Sequence, residues 1–224
     1  MVMGKAVIFD FDGVITDSNR IKEQGYYAAF SGVKGSQEVV RKVLARYPAS
    51  TRESTIKKIV AGLAGCGLLK SGTDIGSAVS KYVDRYARIA DDAVCKAHEI
   101  KGVRGLLDRI YGKAALFINS ATPDDSLAVI TRKKGLDRYF TDIYGSTHSK
   151  KENLSAIRRR YGFRRADTLY IGDRDVDYMA ACADRIAFIA FKGEFPHRGK
   201  SARNAKELER LIDGFIKKGK GADK

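Results

Sequence analysis

Ala6-Val7-Ile8-Phe9-Asp10-Phe11-Asp12-Gly13 is an apolar run that ends on two aspartates two residues apart. Its first four residues are too few for a helix and rich in branched and aromatic side chains, which suits a buried strand. Carboxylates at the end of such a strand are costly to bury alone, and a cation offsets that cost. Gly13 lets the chain turn sharply away. Taken by itself, the pair reads equally well as solvated loop carboxylates.

A second acidic strand end changes the balance. Tyr170-Ile171-Gly172-Asp173-Arg174-Asp175-Val176-Asp177 repeats the pattern. In a parallel sheet the C-terminal ends of all strands share one edge, so Asp173 faces Asp10 and Asp12. Converging carboxylates make a site for a hard cation, most simply Mg²⁺. Ile118-Asn119-Ser120-Ala121-Thr122-Pro123 brings the Ser120 hydroxyl and the N–H groups of a turn to the same edge, with Thr122 expected as a helix cap. In Ser149-Lys150-Lys151-Glu152-Asn153-Leu154 a lysine at a helix start reaches the same place, and Lys150 and Lys151 both remain open.

Working outward, apolar runs at Ala6–Phe9, Ala115–Ile118, Phe140–Tyr144, Thr168–Ile171 and Ile186–Ala190 predict five parallel strands. Helical patterns alternate with the last four, among them Ser126–Lys134 and Lys150–Tyr161. That alternation implies an α/β, doubly wound, Rossmann-like parallel sheet. The long stretch after the first strand contains no strand signal. It shows helical patterns near Arg20–Phe30, Gln37–Ala45, Glu53–Leu63 and Ser77–Ala97. The Gly-rich stretch Gly62–Gly67 lacks the preceding strand of a dinucleotide site and reads as a helix end and turn. The expected division is a core of residues 1–17 and 100–224 with an inserted α-helical cap domain, 18–99. Ala202–Lys217 places Leu208, Leu211, Ile212 and Phe215 on one helical face, and Lys218–Lys224 reads as a loose tail.

Composition narrows the class. Hydrophobic residues make up 44% of the 224, enough for a packed core. No apolar run approaches the roughly 20 residues that span a bilayer, so no membrane partner is expected and the cytoplasm is the default location. Cys66, Cys95 and Cys182 form no C-x-x-C pair, and His98, His148 and His197 are scattered, which argues against disulfides and zinc. Lys and Arg total 42 against 27 Asp and Glu, an excess of +15. The densest basic run, Arg158–Arg165, reads first as the solvated end of a helix. No nucleic-acid-binding motif accompanies it, so only weak, non-specific binding of nucleic acid is expected.

Together the four segments resemble the ordered motifs of the haloacid dehalogenase-like superfamily: D-x-D-G, Ser or Thr after strand two, Lys before the next helix, and G-D-x-x-x-D. The resemblance covers residues 4 to about 192. The Ser120–Pro123 and Lys150–Leu154 stretches and the helical insert are similar to the branch with phosphoglycolate phosphatase and β-phosphoglucomutase. Arg174 departs from the small residue often found at its place.

The resemblance implies a Mg²⁺-dependent phosphatase acting on a small phosphorylated metabolite, possibly a sugar phosphate, as a monomer or homodimer. Asp10 is then the nucleophile and Asp12 the general acid and base. Asp10, Asp12 (through its carbonyl), Asp173 and Asp177 would serve the metal, while Ser120, Ala121 and Lys150 would bind phosphate. The cap would choose the substrate, with Arg20, Lys22, Arg52 and Lys57 as candidate contacts. Competing readings are a phosphomutase, a 2-haloacid dehalogenase, a phosphonatase using Lys22, and a basic nucleic-acid-binding protein on a retired hydrolase core. Intact acidic strand ends argue against the last, since idle clustered carboxylates only destabilise a fold.

Overall fold

The computed structural model describes residues 4–48 and 50–218. Six strands are assigned: β1 (Ala6–Phe9), β2 (Ala115–Asn119), β3 (Asp142–Tyr144), β4 (Thr168–Gly172), β5 (Ala187–Phe191) and β6 (Lys200–Ala202). They form one parallel sheet in the order β3-β2-β1-β4-β5-β6. The four residues of β1 are fully buried between β2 and β4, which explains a run without polar alternation. Phe9 is in register with both Ile118 and Ile171, so three strands end side by side.

The helices are α1 (Asn19–Ala29), α2 (Ser36–Arg46), α3 (Arg52–Gly65), α4 (Ile75–Lys96), α5 (Val103–Ile110), α6 (Asp124–Lys133), α7 (Lys150–Tyr161), α8 (Asp175–Asp184) and α9 (Ala205–Lys217). Leu154 and Ile157 of α7 and Ala180 and Ala181 of α8 pack on Ala6, Ile8, Phe117, Tyr170 and Phe188. The intervening Val7, Phe9, Leu116, Ile118 and Ile171 are equally buried and point to the opposite face. β1 precedes the insert and β2 to β6, alternating with α5 to α9, follow it, and this parallel sheet with its helices makes the architecture doubly wound α/β with an inserted helical cap.

The chain folds as two compact units: residues up to Asp17 with those from His98 on, and Ser18–Ala97. The second unit holds α1–α4 around its own core of Phe30, Val40, Ile56, Ile59, Val60 and Leu63. Tyr26 stacks on Tyr86 and Phe30 on Tyr82, at ring distances of 4.2 and 4.1 Å.

Several boundaries differ from the sequence reading, and the helical unit closes at Ala97 rather than at residue 99. A 3-10 turn at Asp137–Tyr139 precedes β3, and Phe140 lies edge-on to Phe9 instead of opening the strand. β6 was not anticipated: two of its three residues are exposed, and only its pairing with β5 makes it a strand. It displaces the start of the last helix to Ala205, where the Asn204 side chain accepts a hydrogen bond from Glu207 N–H. The tail expected over Lys218–Lys224 lies, beyond Lys218, outside the described residues.

The basic run at the end of α7 is largely engaged within the fold. Arg160 pairs with Asp142 at 3.0 Å, Arg164 with Asp167 at 2.5 Å, and Arg165 donates to the Asp184 carbonyl. Arg158 grips the Asp184 carboxylate with two bonds of 2.5 and 2.6 Å, joined by Ser155 Oγ at 2.8 Å. Asp184 is buried. Burial pushes its carboxyl up, but the bonds from Arg158 and Ser155 outweigh this and hold it below the usual range. A carboxyl depressed in the folded state stabilises the fold fully above its unfolded pKa of about 4, and this stabilisation fades as pH falls through the folded value. Asp184→Ala, which leaves Arg158 without its counter-charge, is expected to cost about 3 kcal/mol at neutral pH. The gap from wild type should narrow as both proteins are acidified through the carboxylate range. Urea unfolding at neutral and acidic pH measures this, and a variant as stable as wild type at neutral pH refutes it.

Candidate active site

β1 carries its buried run straight into Asp10, whose backbone N–H donates to the Ile171 carbonyl and so extends the strand pairing by one residue. The Asp10 carboxylate accepts from Phe11 N–H at 2.7 Å. The chain then turns. Gly13 adopts φ +79°, a conformation open to glycine, and its N–H donates to the Thr16 carbonyl. Ile15 and Thr16 both donate from their backbones to the Phe11 carbonyl, closing a tight turn that fixes Asp12.

Lys150 is the first residue of α7. Its Nζ lies 2.9 Å from Asp10 Oδ2 and 2.5 Å from Asp177 Oδ1, while Lys151 is exposed. The helix start is held in place from two sides. Asn119, the last residue of β2, donates to the Lys150 carbonyl, and Asn153 donates to Asn119 Oδ1 and the Gly145 carbonyl. Ser149 and Glu152 complete a reciprocal capping box.

Asp177 is fully buried on α8. Its Oδ1 also accepts from the Tyr170 hydroxyl at 2.7 Å, and its Oδ2 from Arg174 N–H at 3.2 Å. Gly172 is required here, because a Cβ at that position would stand 2.3 Å from that of Asp177. One carboxylate oxygen from each of Asp10, Asp173 and Asp177 lies within 4.8 Å of the others. The Asp12 carboxylate turns elsewhere, to Thr122 Oγ1 at 3.2 Å and Ser120 Oγ at 3.5 Å.

The electrostatics follow from this crowding. Burial pushes Asp10 well above the usual carboxylate range; Lys150 opposes the shift, and Asp177, Asp173 and Asp12 add to it. Burial works against the Lys150 ammonium, but Asp10 and Asp177 outweigh it, and Lys150 titrates above its ordinary value. One lysine therefore faces an excess of carboxylate charge. A group of oxygen donors with surplus negative charge fits a hard divalent cation such as Mg²⁺, and lacks the sulfur or imidazole that softer metals favour. Asp10, Asp173 and Asp177 are the side chains that would hold it.

Asp10, Asp12, Ser120, Lys150, Asp173 and Asp177 thus meet at one sheet edge. Exposed Ala121 lies on the turn between Ser120 and Thr122. Thr122 corrects the expectation of a helix cap: the residue before α6 is Pro123, and the Thr122 hydroxyl donates to Asp12 instead. Two further residues were missed. Tyr170 carries a polar tip inside an apolar strand, a signal the sequence offered; Asn119 closes its strand with an amide. The candidate substrate cations lie in the helical unit. Arg52 is buried against Asp91 at 2.5 Å and over the Tyr86 ring, and so serves the packing of α3 on α4. Lys57 pairs with Glu53, Arg20 is exposed, and Lys22 is half-buried with its carbonyl accepting from Tyr86.

A search of curated proteins finds no match. Among solved structures, a subfamily IA, variant 1 HAD-superfamily hydrolase from Geobacter sulfurreducens PCA superposes with a TM-score of 0.67 at 23% identity, covering 93% of this chain and 96% of its own. A predicted phosphoglycolate phosphatase from Haemophilus somnus 129pt gives 0.77 at 13% identity, covering 95% and 99%. The Bacillus subtilis protein YfnB, in a structure bound to magnesium, gives 0.71 at 17%, covering 93% and 98%. These likenesses concern the fold. Among the described residues no helix is long and apolar enough to cross a membrane. The profile of the haloacid dehalogenase-like hydrolases matches residues 7–191, from the second residue of β1 to the last of β5 and so across every element of the site, and the chain belongs to that family.

Proposed function

We propose that the protein is a Mg²⁺-dependent phosphatase that cleaves a small phosphorylated metabolite, such as a sugar phosphate, through an aspartyl-phosphate on Asp10. One observation carries the reading: Asp10 Oδ2 sits 2.9 Å from Lys150 Nζ within a group of carboxylates suited to a hard cation, while the second acid, Asp12, is held apart by hydroxyl groups. Bound Mg²⁺ would offset the repulsion between an anionic nucleophile and an anionic phosphoryl group.

The residues divide the work. An oxygen of Asp10 attacks phosphorus, and the bond from phosphorus to the leaving oxygen breaks as the new one forms. Asp12 gives its proton to that oxygen, so an alcohol departs. The Asp12 carboxylate then takes a proton from water, whose oxygen attacks phosphorus. The Asp10–phosphorus bond breaks, leaving phosphate, a free Asp10 carboxylate and a reprotonated Asp12. The Ser120 hydroxyl, the Ala121 backbone N–H and the Lys150 ammonium bind the phosphoryl oxygens. A mutase would use the same first half and return the phosphoryl group to the substrate, so release of inorganic phosphate decides between the two.

Asp10→Asn is expected to abolish phosphate release without unfolding the protein, because an amide forms no acyl-phosphate; turnover above about a tenth of wild type would remove Asp10 from this role. Activity is expected to vanish in EDTA and return with added Mg²⁺, and full activity in metal-free buffer would sink the metal assignment. Asp12→Ala should slow an alkyl or sugar phosphate by about 10²–10⁴-fold, and an aryl phosphate, whose leaving group is already a stable anion, by much less. Steady-state kinetics on both substrates measure this, and equal losses would mean that Asp12 only holds the site together.

A further inference from the structure

We propose that a basic groove in the helical unit, at the end opposite its two connections to the core, binds a nucleoside triphosphate. The proposal goes beyond the phosphatase reading and does not depend on it, because no residue of the groove belongs to the acidic sheet edge.

The groove has a volume of about 960 Å³ and lies between the loop joining α1 to α2 and the loop joining α3 to α4. Its place follows from the packing of the helices. Tyr26 stacks on Tyr86 and Phe30 on Tyr82, so α1 and α4 run antiparallel. The start of α1 and the end of α4, which join the core, share one end of that pair. The groove occupies the other, where the chain leaves α1 and enters α4.

Charge distinguishes this groove within the unit. Lys34, Lys70 and Lys81 line it and are exposed. Elsewhere in the unit Arg41 and Lys42 pair with Glu38, Lys57 with Glu53 and Lys96 with Asp92. The three groove lysines pair with no carboxylate among the described residues. Asp74 is the single acid of the lining, and it is committed to the start of α4, accepting from Ser77 N–H at 2.8 Å. Three like charges around one space repel one another, and a ligand with several negative charges relieves that repulsion.

The rest of the lining narrows the ligand. Val33, Leu68, Leu69 and the half-buried Tyr82 give the groove apolar walls. A bare inorganic anion leaves those walls in contact with water, whereas an organic ring system covers them. The volume falls in the range of about 300–1,000 Å³ typical of small-molecule sites. A polyphosphate joined to a base and sugar uses both the cations and the walls. The two loops are also fixed in advance. Val33 N–H donates to the Phe30 carbonyl at 3.0 Å, Leu68 N–H to the Leu63 carbonyl at 2.9 Å, and the Thr73 hydroxyl to the Lys70 carbonyl at 2.6 Å. Such preorganisation lowers the entropic cost of binding.

Calorimetric titration of the full chain with β,γ-methylene-ATP, which a phosphomonoesterase leaves intact, tests this in EDTA at low and at physiological salt. One site per chain is expected, weaker at the higher salt. The triple variant Lys34→Ala, Lys70→Ala, Lys81→Ala, altered only at exposed side chains, should bind about 10–100-fold more weakly, the combined value of three solvent-facing ion pairs. Asp10→Asn should bind as wild type does, which separates this site from the acidic edge. Inorganic tripolyphosphate should bind at least about 10-fold more weakly than the nucleotide, since it cannot cover the apolar walls. No binding by wild type, equal binding by the triple variant, loss of binding in Asp10→Asn, or tripolyphosphate as tight as the nucleotide would each overturn the proposal. Hydrolysis of p-nitrophenyl phosphate in Mg²⁺ by the triple variant should match wild type. A wild type inactive on every phosphate ester would defeat the phosphatase reading alone, and the titrations would still decide this one.

Discussion

Lys150 Nζ stands between two carboxylates at the end of the sheet, 2.9 Å from Asp10 and 2.5 Å from Asp177, and the surrounding chain is arranged to keep it there. An ammonium this close to buried carboxylates is stabilising only if its geometry is held, since desolvation otherwise exceeds the Coulombic gain. Asn119 and Asn153 tie the start of α7 to the end of β2 for that reason. Gly172 leaves room for Asp177, and Tyr170 and Arg174 N–H satisfy its remaining acceptor capacity. Removal of any of these groups would leave a buried charge with poorer company, a cost that falls on the site and the fold alike.

Asp10 and Asp12 are two residues apart, yet their surroundings differ in kind. Asp10 faces Lys150 and two further carboxylates, a setting of strong opposing charges. Asp12 faces the neutral hydroxyl groups of Ser120 and Thr122. Identical side chains in unlike environments are how a protein separates the tasks of acid and nucleophile. The difference in setting here comes from the turn that follows β1, closed by the Ile15 and Thr16 N–H bonds to the Phe11 carbonyl, which holds Asp12 against the Ser120 and Thr122 hydroxyls.

Much of this was legible in the chain before any coordinates. β1 occupies Ala6–Phe9 and α7 occupies Lys150–Tyr161, as their apolar spacing indicates, because both are bounded by strong local signals: acids and glycine for one, a capping box for the other. The shared sheet edge followed from parallel topology alone. What stayed hidden depended on contacts distant in sequence. β6 exists through its pairing with β5, and its own residues carry no strand pattern. Thr122 looked like a cap because Thr before Pro-Asp suits one locally; the partner that claims its hydroxyl lies 110 residues away. Arg52 was a candidate substrate contact, and only the fold brings Asp91 to it. Composition likewise could not say that most of the basic run near Arg160 is paired with carboxylates of the same fold.

The route by which the chain leaves and re-enters the core has a separate meaning. Asp17 N–H donates to the His98 carbonyl, Ile100 N–H donates to the Ile15 carbonyl, and Thr16 bridges Glu99 in antiparallel fashion. The outgoing and returning strands of the connection are thus stitched together at the core surface before the helical unit begins. To the sheet, everything from Ser18 to Ala97 is a single hairpin loop, however much structure it contains. Loop length costs little once the ends are joined. Such a junction works as a socket: one helical insert can be exchanged for another, or trimmed to a short turn, while the strand registry that assembles the acidic edge stays as it is.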